Sequence, residues 1–237
     1  MRISNVPYQS HAVITHEELL GSSLILRMPE FVKSPRGEVK APGNIVWEVV
    51  EREGALRYRW EESEEVKAAF TIDFAGEARA GEDAVDFEVT MTSVGGTPAG
   101  AGVYLFCLQA GAYYAFHDYE GVRTYVRLQG RWASVHEMEG GRYETHRMCG
   151  YPVGREGVAH NLMAKVSADG EWVLGMALDQ AGHVSCNLQL WPSCIHANPK
   201  WRELAAGERE VARGKVYLFR GDLEALYARY LADFGTA

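Results

Sequence analysis

No apolar run in this 237-residue chain exceeds the six residues 103–108, and a helix needs ~20 to cross a bilayer, so no membrane partner is expected. Residues 1–10 carry no apolar stretch after Arg2, and without a recognisable secretion signal a cytoplasmic setting is expected. Cysteine is scarce. Cys107, Cys149, Cys186 and Cys194 are the four present, widely spaced in a chain too large to need disulfide staples, so free thiols are expected. Basic residues are outnumbered: 24 Lys and Arg face 32 Asp and Glu, a formal charge of −8. With no basic stripe to meet a phosphate backbone, nucleic acid is not expected as a partner. The patterns G-x-x-x-x-G-K-[ST], G-x-G-x-x-G after a strand, H-E-x-x-H and G-x-S-x-G are all missing. Nucleotide cofactors and serine-hydrolase chemistry lose their main support, and no cofactor is expected.

Helical periodicity is also missing from most of the chain, and strand periodicity takes its place. Val85, Phe87, Val89 and Met91 alternate with Asp86, Glu88, Thr90 and Thr92, the period of a strand with one face in a core. Short β-branched or aromatic segments recur at 23–28, 45–51, 55–60, 66–74, 103–109, 123–128, 162–167, 172–179, 184–190 and 215–219. Gly-rich or Asp-Gly separators between several of them, such as 52–54, 93–98, 139–141 and 168–170, supply the turn chemistry of antiparallel hairpins. The pattern predicts an all-β fold, an antiparallel two-sheet sandwich forming a single domain over 1–237. One amphipathic helix closes it. Leu223, Leu226, Tyr227, Tyr230, Leu231 and Phe234 recur at helical spacing, with Asp222 as N-cap and Gly235 as stop, predicting a helix over 222–234. Too short to be stable alone, it must bury Leu223, Leu226, Tyr230 and Phe234 against a sheet.

Two stretches carry a family resemblance. Val85-Asp86-Phe87-Glu88-Val89-Thr90-Met91-Thr92-Ser93-Val94-Gly95-Gly96-Thr97-Pro98 resembles the strand and turn V-x-V-x-V-T-x-T-N-x-G-x-x-P of galactose-mutarotase-like β-supersandwiches. Thr90, Thr92, Gly95 and Pro98 fall in register, while Phe87 replaces a Val and Ser93 stands where the family usually has Asn. Trp191-Pro192-Ser193-Cys194-Ile195-His196-Ala197-Asn198-Pro199, then Arg213 to Phe219 and the helix, resembles a group of uncharacterised bacterial proteins of the same outline associated with polysaccharide breakdown. The resemblance covers 45–234 and implies a supersandwich and a saccharide ligand.

Three groups of residues offer chemistry. Tyr114, His117, Asp118 and Arg123 combine aromatic, acid-base and cationic character in ten residues, the mixture a sugar site uses. His117 can serve as acid or base and Arg123 can neutralise a uronate; the bland alternative is a strand-to-loop junction with Asp118 and Arg123 as an ion pair. His183, Cys186, Cys194 and His196 form H-x2-C-x7-C-x-H. On a strand His183 and Cys186 point to opposite faces while Cys194 and His196 share one, and the spacing matches no zinc module, so packed free thiols are preferred and no metal is expected. His196 beside Asn198, in a segment bracketed by Pro192 and Pro199, reads as a pocket acid or base on a stiff loop, with Trp191 and Asn198 as sugar contacts.

These residues together predict acid-base chemistry on a saccharide, of epimerase, lyase or hydrolase type, with Tyr114, His117, Asp118 and His196 as catalytic candidates and Arg123, Asn198 and Trp191 binding substrate. The rival reading is a non-catalytic carbohydrate-binding or assembly module.

Overall fold

The computed structural model describes residues 1–5, 11–19, 23–33, 39–40, 46–52, 55–61, 72–93, 104–110, 114–141, 148–188 and 193–235. The strands in chain order are β1 (Arg2–Asn5), β2 (Ala12–Thr15), β3 (Leu24–Lys33), β4 (Val39–Lys40), β5 (Val46–Arg52), β6 (Ala55–Glu61), β7 (Ile72–Ala80), β8 (Ala84–Ser93) and β9 (Tyr104–Gln109). A 3₁₀ turn (Tyr114–Phe116) leads to β10 (Thr124–Leu128), β11 (Arg131–Ser134) and a one-turn helix α1 (Val135–Met138). Then come β12 (Cys149–Pro152), β13 (Val158–Val166), β14 (Trp172–Leu178), β15 (Gly182–Leu188), β16 (Ser193–Pro199), β17 (Arg209–Arg220) and helix α2 (Leu223–Phe234).

The strands form two antiparallel sheets. The first runs β1-β2-β3-β9-β16-β15-β12, with β4 on β3, and the second runs β11-β10-β13-β14-β17-β8-β7-β6-β5. Alternation decides which side chains fill the space between them. On β8, Val85, Phe87, Val89 and Met91 are buried in the shared core while Asp86 and Glu88 are exposed. Phe87 meets Phe106 of the opposite sheet edge to face, their ring centroids 6.3 Å apart.

β14 is buried on both faces. Trp172, Leu174, Met176 and Leu178 face the inter-sheet core, whereas Val173 and Ala177 lie under α2 with Leu162, Tyr217 and Phe219. Gly175 makes the helix fit: a Cβ there would stand 2.8 Å from Leu226 Cδ1, so Leu226 rests on bare backbone. The Asp222 carboxylate accepts the Ala225 N–H at 2.8 Å as the N-cap. Leu226 and Tyr230 are buried as the spacing predicts, while Leu223 and Phe234, in the terminal turns, are half-buried.

The segment 193–199, read from its flanking prolines as a loop, is instead a seven-residue strand inside the first sheet, between β9 and β15, with every residue buried. The short strands β1, β2, β4, β11 and β12 carry too few residues to show a period. No described helix is long and apolar enough to cross a membrane.

Leu226→Ala is expected to cost about 2–5 kcal/mol in a denaturant titration, through lost transfer energy and the cavity left over Gly175. Leu231→Ala, on the face of α2 that is 41% exposed at that residue, should cost under about 0.5 kcal/mol. Equal losses would contradict the docking face.

Candidate functional site

Side-chain parity divides the first sheet into an apolar inner face and a polar outer face. On β16, Ile195 and Ala197 enter the core, so Cys194, His196 and Asn198 point outward. Phe106 and Leu108 of β9 point inward and Cys107 and Gln109 outward; on β15, Val184 and Cys186 point inward and His183 and Ser185 outward. Outer-face polar side chains are ordinarily wet. Here His196 is 1% exposed and Asn198 0%, and Ser185 and Gln109 are buried as well. Buried polar groups must satisfy one another, and a satisfied network holds its members in fixed positions.

Asn198 is the hub. Its Oδ1 accepts the Phe106 N–H at 2.9 Å, beyond the stretch where Cys107 to Gln109 pair with His196 to Cys194, and so extends the link between β9 and β16. Its Nδ2 lies 3.3 Å from Ser185 Oγ and 3.2 Å from His183 Nε2. Ser185 Oγ in turn bonds His196 Nδ1 at 3.1 Å. The other imidazole nitrogen, Nε2, is buried without a hydrogen-bond partner and faces Glu30 Oε2 at 4.0 Å. Glu30 Oε1 accepts from Arg27 at 3.4 Å and from Gln109 at 3.3 Å.

The thiols of Cys107 and Cys194 and one nitrogen of His196 all lie within 4.8 Å of one another. The hydrogen bond from Cys107 holds the Cys194 thiol well below the usual thiol range against the opposing effect of burial, and burial pushes the Cys107 thiol up. Burial pulls the His196 imidazole down, but Cys194 and Glu30 outweigh it and hold it above the ordinary value. Burial, assisted by His196, lowers His183.

The other candidates gather in a knot between β9 and β10. Asp118 accepts three donors, the backbone N–H groups of Val122 (3.1 Å) and Arg123 (2.8 Å) and the Thr124 hydroxyl (2.7 Å). The Arg123 guanidinium goes to the carbonyls of Ala115 (3.1 Å), Val166 (3.2 Å) and His117. Both charges thus fasten backbone. What the knot displays is Tyr114, 80% exposed, its ring 4.9 Å from that of His117, with Tyr119 Oη 2.8 Å from His117 Nδ1.

The structure therefore brings His196 and Asn198 together on the outer face, and Tyr114, His117, Asp118 and Arg123 together in the knot; Trp191 lies outside the described residues. Cys186 faces the core, so the H-x2-C-x7-C-x-H residues do not converge, and Cys107 joins Cys194 and His196 instead. Sequence reasoning passed over Cys107, Gln109, Arg27 and Glu30. The outward alternation of Cys107 and Gln109 within an apolar strand was the available signal; Glu30 joins them only through the pairing of β3 with β9.

No protein-family model matches the chain, and no curated protein does. Solved structures do. A galactose mutarotase related enzyme from Lactobacillus acidophilus superposes with a TM-score of 0.53 at 9% identity, covering 94% of this chain and 92% of that one. A putative aldose 1-epimerase from Escherichia coli K12 gives 0.53 at 7% identity, covering 92% and 99%. A domain of an α-galactosidase from Geobacillus stearothermophilus gives 0.50 at 9% identity, covering 89% of this chain and 34% of that one. The fold is a galactose-mutarotase-like β-sandwich, one that carbohydrate-processing proteins also use.

Asn198→Ala strands the Phe106 N–H in the interior, and a urea titration should show a loss of about 1–3 kcal/mol. A loss within about 0.5 kcal/mol would mean that Asn198 is not the hub.

Proposed function

We propose that this protein binds a saccharide over the outer face of the first sheet and performs acid-base chemistry on it, with Glu30 accepting the proton and Arg27 neutralising charge. One observation carries the reading: a carboxylate fixed by Arg27 and Gln109, backed by the buried His196, and still 20% exposed at its side chain. Its neighbours limit its motion while a ligand can reach it, which is what a positioned base requires. His196 is too deeply buried to meet a saccharide itself and acts through Glu30.

The surroundings suit a sugar. Arg27 is placed to meet a hydroxyl or a carboxylate, and the register that pairs Ala12 with Leu26 brings His11 level with Arg27. Burial and the Arg27 charge lower the His11 imidazole, so it stands neutral at pH 7 as a hydroxyl partner. Ring opening and elimination each need one base, one proton donor and a charge neutraliser, whereas hydrolysis calls for two carboxylates across a cleft. The described part of this face offers one, Glu30. Ring-opening epimerisation or elimination is therefore favoured, in keeping with the fold shared with a mutarotase related enzyme and a putative aldose 1-epimerase.

A second reading has its own support. The exposed Tyr114 ring beside His117 and Tyr119 is a stacking platform, and a non-catalytic module would hold its sugar there. Asp118 and Arg123 then position the platform, and no proton moves.

Aldoses, neutral oligosaccharides and uronic oligosaccharides, read by thermal shift together with polarimetry for ring opening and ultraviolet absorbance for elimination, separate the two. Glu30→Gln should keep the thermal shift and lower turnover by about 100-fold or more, while Tyr114→Ala leaves both in place. Unchanged turnover in Glu30→Gln would refute the catalytic reading; a shift lost only in Tyr114→Ala would establish the binding module.

A further inference from the structure

We infer that Cys107, Cys194 and His196 form a binding site for a zinc-class divalent ion on the outer face of the first sheet, with Glu30 beside its fourth position. Cys194 and His196 stand two residues apart on β16 and share its outer face; the β9 pairing sets Cys107 directly opposite His196. Their ligand atoms already lie within 4.8 Å of one another. Tetrahedral zinc, with bonds of about 2.3 Å to sulfur and about 2.0 Å to nitrogen, sets its ligands roughly 3.5 Å apart, so small side-chain rotations close the site.

A second feature points to a ligand independently. His196 Nε2 is fully buried with no hydrogen-bond partner. Nδ1 is engaged by Ser185 Oγ, itself within 3.3 Å of Asn198 Nδ2. Metal-binding histidines are oriented in this way, one nitrogen held by an outer hydrogen bond and the other turned to the ion.

The two thiols share a hydrogen bond but are poorly placed to form a disulfide with each other. Cys194 pairs with Gln109 and Cys107 with His196, so the cysteines are diagonal neighbours. Diagonal Cα atoms in an antiparallel pair are about 7–8 Å apart, beyond the roughly 7 Å that a disulfide tolerates. Cys149 and Cys186, by contrast, sit directly opposite one another on β12 and β15 and face the apolar core, where they belong to its packing. Two thiolates balance the charge of a divalent ion, the thiol protons leaving to solvent as it binds, and a thiolate and imidazole donor set selects zinc over magnesium or calcium. Glu30 Oε2, 4.0 Å from His196 Nε2, stands at the margin of the cluster. Three protein ligands with the fourth position left open, and a carboxylate beside it, is the arrangement of an ion that can also bind water.

Metal binding at these residues needs no saccharide and is read without turnover. The full chain, stripped with a chelator and kept reduced, is titrated with cobalt(II) alone and then with zinc(II). One equivalent should bind, with thiolate-to-cobalt charge-transfer absorption and tetrahedral visible bands that zinc abolishes. Cys107→Ala and Cys194→Ala should weaken binding by about 100-fold or more, while Cys149→Ala and Cys186→Ala bind as the unmodified chain does. Should a variant unfold, X-ray absorption of the zinc-loaded unmodified chain decides, two sulfurs and at least one imidazole nitrogen being expected. Absence of the charge-transfer band, binding undiminished in both Cys107→Ala and Cys194→Ala, or a shell without sulfur would overturn the site.

Discussion

β16 is buried on both faces, so its register decides which side chains enter the core and which reach the outer side of the first sheet. A strand covered on both sides is ordinarily apolar on both. β16 is apolar on its inner side at Ile195 and Ala197, and polar on the outer at Cys194, His196 and Asn198. Because the side-chain period is two, a slip of one residue would drive an imidazole, a carboxamide and a thiol into the core. The register is held against that slip by Asn198, which bonds the β9 backbone and reaches the side chains of β15 from a single carboxamide. The polar face is therefore part of how the sheet is specified as well as the place where chemistry is available.

The same strand ties the two groups of candidate residues together through the interior. Lys165 on β13 is fully buried, and its ammonium lies 3.2 Å from Ser193 Oγ of β16, 3.1 Å from Thr124 Oγ1 and 3.3 Å from the Phe116 carbonyl. Thr124 also donates to Asp118. A continuous polar path thus runs from Asp118 through Thr124 and Lys165 to the start of β16. Burial lowers the Lys165 ammonium, and the Asp118 charge opposes that effect. A buried lysine with three oxygen partners thus links the two sheets, joining the segment that displays Tyr114 to the strand that carries His196.

The features legible in the sequence were those written in local periodicity. Alternation at Val85, Phe87, Val89 and Met91 foretold a half-buried strand, and helical spacing from Leu223 to Phe234 foretold a docked helix with its cap at Asp222. Parity alone also foretold that Cys194 and His196 share a face and that Cys186 opposes His183. Long-range pairing was hidden. Cys107 reaches Cys194 only because β9 and β16, far apart in the chain, are neighbours in the sheet, and Glu30 arrives through β3. The proximity of Asp118 to Arg123 suggested an ion pair; the structure spends both charges on backbone groups, which a charge pattern does not encode. Proline punctuation at 192 and 199 suggested a loop, yet Pro199 closes a strand, pairing with Gly182.

The proposed saccharide site spans the outer face of the first sheet, from Arg27 and Glu30 to His196. Difference electron density from crystals soaked with the saccharide that gives the largest thermal shift tests it most directly. Density lying against Arg27 and Glu30 is the expected result. Density stacked on Tyr114, with none over the first sheet, would contradict it.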